Sequence, residues 1–210
     1  FSCLGLCFRE RLFDGIILAP SRPDFRLYRL LGWNISIDLI NIDLSAQFFV
    51  HLRASVAAGL ILSFPFIIME IWKFVAPALY AGEKRALRLA FLLSTVLFYL
   101  GVLVGYFVVL PLCLQFFINY TVSTEVVNTI SLGSYMSMFT SMVLLNGLVF
   151  EFPTVMLALS RLGVVDRAAL RRGRKYAFVA ILIVAALITP ADPVSMFVLA
   201  IPMYLLYEFS

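Results

Sequence analysis

Charge is what this chain has least of. Of its 210 residues only 13% are Asp, Glu, Lys or Arg, against 63% hydrophobic, and its mean hydropathy is +1.02. A soluble domain carries about 25% charged residues to cover its surface, so the composition excludes one and implies a polytopic helical membrane protein. A membrane barrel is excluded too, because its strands read as short alternating segments and these apolar runs are long and unbroken. The net charge of +4 is too small and too localised for a nucleic-acid partner. Histidine is reduced to His51, and cysteine to Cys3, Cys7 and Cys113, at no metal-ligand or redox spacing. No HExxH, GxSG, GxGD or P-loop occurs, so no hydrolase, metal centre or nucleotide site is indicated. The expectation is a protein that is not an enzyme and needs no cofactor. No internal repeat or low-complexity tract is present.

What the chain does contain is a series of apolar runs separated by short polar turns. Residues Phe1 to Phe8 would cover about 12 Å as a helix, against a hydrocarbon core of about 30 Å. They read as the tail of a spanning helix that begins before this chain. Residues 8–50 form an extramembrane cap in which Arg9, Arg11, Arg22, Arg26 and Arg29 are matched by Glu10, Asp14, Asp24, Asp38 and Asp43. Further spans are expected at about 51–80, 89–111, 134–160, 176–188 and 194–210. Leu89 to Thr124 holds no charge and is too long for one straight span, so Pro111 is expected to mark its exit from the bilayer and Leu112 to Gly133 a second cap. Arg161 to Lys175 reads as a polar turn.

Loop charge then gives orientation. Lys84, Arg85 and Arg88 follow the first complete span, and Arg161, Arg167, Arg171, Arg172, Arg174 and Lys175 precede the fifth. Loops 112–133 and 189–193 hold no Lys or Arg. Basic loops stay on the cytoplasmic side, which places Glu83 inside and Glu125 and Asp192 outside. Counting the incomplete first helix gives six spans with both termini cytoplasmic.

Two acids stand apart. Glu151 lies in an otherwise uncharged span, where a carboxylate costs roughly 2.5 kcal/mol or more at the helix centre. Pro153 denies an N–H to the carbonyl of Val149, and Asn146 and Gly147 lie about one turn earlier. The readings open for Glu151 are a structural acid, a proton or ion site, or a polar contact for a partner helix. Glu83 lies near the end of the kinked run FPFIIMEIWKFVAPALYAGEKR, where an acid beside Lys84 and Arg85 is either simply solvated or able to take an arginine in a bidentate pair. Glu70 and Lys73, three apart, are expected to pair with each other.

That run, together with FEFPTVM, RKYAFVAILIVAALITPADPVS and LAIPMYLLYE in the same order, resembles TatC, the multispanning subunit of the twin-arginine (Sec-independent) protein translocase. The likeness runs from about residue 8 to 210. It implies an all-α fold of six helices forming a glove-like wall in the cytoplasmic membrane. It also implies a receptor for twin-arginine signal peptides of folded precursors. Such a receptor would assemble with itself and with TatA- and TatB-type single-span proteins, driven by the proton-motive force. By the same resemblance Glu83 would receive the paired arginines, with Phe74, Pro77 and Arg85 beside it. Glu151, with Asn146, would be an intramembrane polar site, and Asp192 the acid of an outward turn. Glu208 and Met196, which stands where the family often has Gln, would contact a partner helix. The alternative is an ion-coupled secondary transporter using Glu151.

Overall fold

A computed structural model describes residues 13–21, 39–41, 45–79, 84–119, 129–161, 167–188 and 193–209. Seven α-helices are described: α1 (Ala46–Leu79), α2 (Lys84–Val104), α3 (Leu110–Asn119), α4 (Leu132–Val149), α5 (Phe152–Arg161), α6 (Arg167–Ile188) and α7 (Pro193–Phe209). Two short strands, β1 (Leu39–Ile40) and β2 (Ile130–Ser131), pair in parallel with Leu39 opposite Ile130 and Ile40 opposite Ser131.

α1 shows why the chain needs a bilayer. Val50, Ala54, Ala57, Phe64, Ile68 and Trp72 recur at steps of three, four or seven residues, one helical face, and are buried against the rest of the protein. The other faces are also apolar, since Phe48, Leu52, Val56, Leu60, Phe66 and Ile67 are exposed. A helix apolar all round is stable only where its outer face meets lipid. Ala46–Phe74, Phe91–Ile118 and Leu132–Met156 are each long and apolar enough to cross a membrane, and the architecture is all-α and polytopic.

α4 sits at the centre, packed against α1, α2 and the π-helical turn Gly105–Val109 that joins α2 to α3. Its approach to α2 is set by glycine. A Cβ on Gly101 would lie 2.6 Å from the carbonyl oxygen of Asn146, and one on Gly147 would lie 2.7 Å from the Phe98 ring. Small residues at such a crossing let two membrane helices touch backbone to side chain, where dispersion replaces the hydrophobic drive that lipid cannot supply.

Pro65, Pro111 and Pro153 show three different ways in which a carbonyl freed inside a helical run is handled. Pro65 denies an N–H to the carbonyl of Ile61, and α1 nevertheless continues to Leu79. Tyr99 Oη on α2 donates a 3.1 Å hydrogen bond to that carbonyl. Ahead of Pro111 the helix widens, Leu110 N–H bonding to Gly105 O, a π-type insertion that shifts the register before the missing donor. Before Pro153 the helix breaks into a turn at Phe150–Glu151, where Phe150 N–H bonds to Asn146 O and Glu151 N–H to Leu148 O. The helix continues past Pro111, since α3 carries the run on to Asn119. The basic turn also narrows. Residues from Arg167 onward are helical, as Ala168, Ala169 and Leu170 among arginines favour.

Candidate functional site

The end of α1 carries the first group of expected site residues. Arg53 and Glu70 bound a charge-free stretch, and Lys73 Nζ meets Glu70 Oε1 at 2.7 Å, both side chains largely exposed. The pair is a solvated i,i+3 contact worth about 0–1 kcal/mol, and its place marks where the helix reaches water. The 34 residues of α1 extend about 51 Å, beyond a hydrocarbon core of about 30 Å. Phe74 follows the pair and is 86% exposed. Trp72, on the opposite face, is buried with Phe64, Ile68 and Phe98. Phe64 and Phe98 stack with centroids 3.5 Å apart and planes within 6°. This stack and the Tyr99–Ile61 bond fix α1 against α2, so Phe74 projects from a rigid hairpin. Pro77 lies in the last turn of α1 and Arg85 in the first of α2. Glu83, between them, and Asp192 and Glu125 lie outside the described residues.

The second site is intramembrane. Glu151 occupies the turn between α4 and α5 and is 8% exposed. Its Oε2 accepts a hydrogen bond from Ser94 Oγ of α2, which is wholly buried. Its Oε1 and the buried Thr154 Oγ1 have no hydrogen-bond partner among the described residues. The turn that Pro153 enforces thus presents a carboxyl sideways to α2 instead of along a helix ladder.

Asn146 does not join that group through a hydrogen bond. Its Nδ2 donates to Met142 O at 3.0 Å and its Cβ faces Gly105. Gly105 lies eleven residues beyond Ser94 on the same run, about 16 Å along it. The two polar residues that the sequence groups therefore meet that run at different depths, Glu151 at Ser94 of α2 and Asn146 at the π-helical turn. Ser94 is the partner that sequence reasoning missed. Its only trace is the Ser94-Thr95 pair in the uncharged stretch that follows Arg88.

At the far end of the chain, Glu208 Oε1 of α7 pairs with Arg174 Nη2 of α6, both partly exposed. Met196 is half-buried against the cluster of Val149, Ile181, Ala200 and Met203. Among the described residues no group of three His, Cys, Asp or Glu could hold a metal ion.

Comparison with known proteins places this arrangement. Residues 1–202 match the family model of the Sec-independent protein translocase protein TatC. The TatC of Blattabacterium sp. subsp. Periplaneta americana is 34% identical over 95% of this chain and 80% of its own length. That of Desulforapulum autotrophicum is 38% identical over 99% of this chain and 73% of its own. Among solved structures, a crystal structure of the twin-arginine translocase receptor TatC in DDM superposes with a TM-score of 0.83. It shows 32% identity and covers 99% of this chain and 88% of that one.

Proposed function

The chain belongs to the TatC family and is a subunit of the twin-arginine translocase, and from that membership we propose that it is the receptor for twin-arginine signal peptides. The observation that carries this reading is Phe74, an aromatic ring 86% exposed at the end of a clamped hairpin. Glu83 follows four residues after the last residue of α1. An apolar side chain of the peptide would lie on Phe74, its arginines would meet Glu83, and Pro77 and Arg85 would border the contact. A bidentate guanidinium–carboxylate pair carries geometric selectivity for arginine that a lysine ammonium cannot reproduce. Lys84 and Arg85 repel an approaching pair of cations, so the acid selects by geometry more than by charge.

The membrane is the cytoplasmic one in this reading, with both termini cytoplasmic and the Asp192 turn outside. Phe197, Ile201, Leu205 and Glu208 recur on one exposed stripe of α7, with Met196 at its edge. This stripe suits a TatA- or TatB-type single-span helix, apolar along its length with a charge at one end. Self-association completes the receptor complex, and the proton-motive force drives transport of the folded cargo. A transporter built on Glu151 has no comparable support.

Binding of a fluorescent twin-arginine peptide to the purified protein tests the receptor reading. Charge-assisted hydrogen bonds of about 1.5–3 kcal/mol each, weakened by exposure and salt, lead to an expected loss of about tenfold or more for Glu83→Arg. Phe74→Ala should weaken the same peptide, and a Lys-Lys peptide should bind like the variant. Unchanged affinity in Glu83→Arg would remove this acid from the docking surface.

A further inference from the structure

Between α4–α5 and α6–α7 runs an apolar groove of about 490 Å³. Leu148, Phe152 and Val155 form one wall, and Ala177, Ile181 and Met203 the other. The volume lies within the range of small-molecule sites. Ala177 and Ala180 keep the α6 wall low, and the lining is apolar apart from the hydroxyl of Tyr207.

The end of the groove is different. Arg174, Ala177 and Ile181 follow at i, i+3 and i+7 on α6, so Arg174 stands directly above the groove on the same face. Lys175 and Tyr176 are next to it, Tyr176 being 81% exposed. Tyr204 and Tyr207 of α7 stack nearby, with centroids 6.5 Å apart, and Tyr207 lines the groove. Tyrosines flanked by cations mark the headgroup level of a bilayer, and no charged residue follows on α6 after Lys175. Arg174 already meets Glu208, but the contact engages Nη2, and a guanidinium has five N–H donors. The groove therefore offers an apolar slot whose mouth, at headgroup depth, is cationic.

We infer that this groove binds one anionic phospholipid, with an acyl chain between α5 and α6 and its phosphate on Arg174 and Lys175. A zwitterionic lipid places a phosphate at the same depth but adds its own cation beside Lys175, so the site discriminates by headgroup charge. Glu208 acts as a competitor for Arg174. It lowers the affinity without closing the groove, which makes the lipid exchangeable. The site is separate from the peptide-docking surface at the end of α1 and shares only Glu208 with the exposed stripe of α7.

The test uses the purified protein reconstituted in vesicles of four parts phosphatidylcholine to one part phosphatidylglycerol, then released into detergent for native mass spectrometry of retained lipid. The wild type should keep a single phosphatidylglycerol, enriched about tenfold over its share in the vesicle. Arg174→Gln with Lys175→Gln should return the retained lipid to the vesicle ratio. Ala180→Phe, which fills the groove from α6, should abolish retention of both lipids. Glu208→Gln should raise the enrichment severalfold, whereas mere loosening of the α6–α7 contact would lower it. Enrichment unchanged in the double glutamine variant overturns the proposal, as does full retention in Ala180→Phe. Loss of a co-purified single-span protein from Ala180→Phe with its lipid intact would also overturn it, giving the groove a polypeptide occupant.

Discussion

Burying Glu151 is expensive, and Ser94 offsets part of that cost through one hydrogen bond. Removing one partner of such a pair strands the other, at about 1–3 kcal/mol, whereas replacing both with apolar groups can be nearly neutral. Ser94→Ala should therefore lower stability by about that amount in a detergent thermal melt. Adding Glu151→Met should recover most of it. If the stable double variant still exports a twin-arginine substrate, Glu151 is a structural acid, and a dead but stable one makes it functional. The Tyr99 hydroxyl gives a cleaner cycle, because its acceptor exists only through Pro65. Tyr99→Phe should cost about 1 kcal/mol in the parent and close to nothing beside Pro65→Ala, where Ile61 O regains an N–H of its own helix. Equal costs in both backgrounds would show that the bond to Ile61 contributes nothing.

At the level of elements, glycine sets the α2–α4 crossing. The nearest atom to a Cβ on Gly101 is a backbone oxygen at 2.6 Å, which cannot turn aside as a side chain can. A Cβ on Gly133, in the first turn of α4, meets nothing within 4 Å. Gly133→Ala should thus be neutral or stabilising by up to about 1 kcal/mol, as helix propensity dictates. Gly101→Ala should be destabilising by about 1–3 kcal/mol as an overpacked contact. Parallel melts of the two variants check this, and equal behaviour would mean that the crossing is looser than it looks. The same elements show how far sequence reading reaches. Long uncharged runs announce spanning helices because a bilayer tolerates little else, and the Glu70–Lys73 pair follows from spacing alone. What a proline does inside such a run depends on its neighbours. Pro65 is accommodated by a tyrosine 34 residues later, Pro111 by a π turn just before it and Pro153 by a broken helix, and the tyrosine lies far beyond one turn of its proline in sequence. The link between Glu151 and Ser94 is hidden for the same reason, being a contact across 57 residues.

For the whole molecule, the proposed orientation rests on where the cations stand. Lys84, Arg85 and Arg88 begin α2, and Arg167 to Lys175 begin α6, whereas residues 112–133 and 189–193 include no Lys or Arg. The helix lengths agree with that alternation. The 36 residues from Lys84 to Asn119 span about 54 Å as a helix, enough to carry the chain from one interface past the other. The clamp between Tyr106 Oη and Ile16 O, and that between Tyr135 Oη and Ile17 O, each 2.7 Å, tie residues 16 and 17 to the end of the bundle where α4 begins. If the basic loops are cytoplasmic, that tied end is extracytoplasmic, although residues 9–29 carry five arginines. The five acids of residues 10–43 neutralise them, and long segments cross largely regardless of charge. Single cysteines decide the matter in a variant whose Cys3, Cys7 and Cys113 are first replaced by serine or alanine. In intact cells, a membrane-impermeant maleimide should label cysteine at Glu125 and leave those at Lys84 and Arg172 untouched until the cytoplasmic membrane is opened. Labelling of positions 84 and 125 from one side would break the alternation. It would also remove Glu83 from the compartment where signal peptides emerge, and the receptor reading would fall with it.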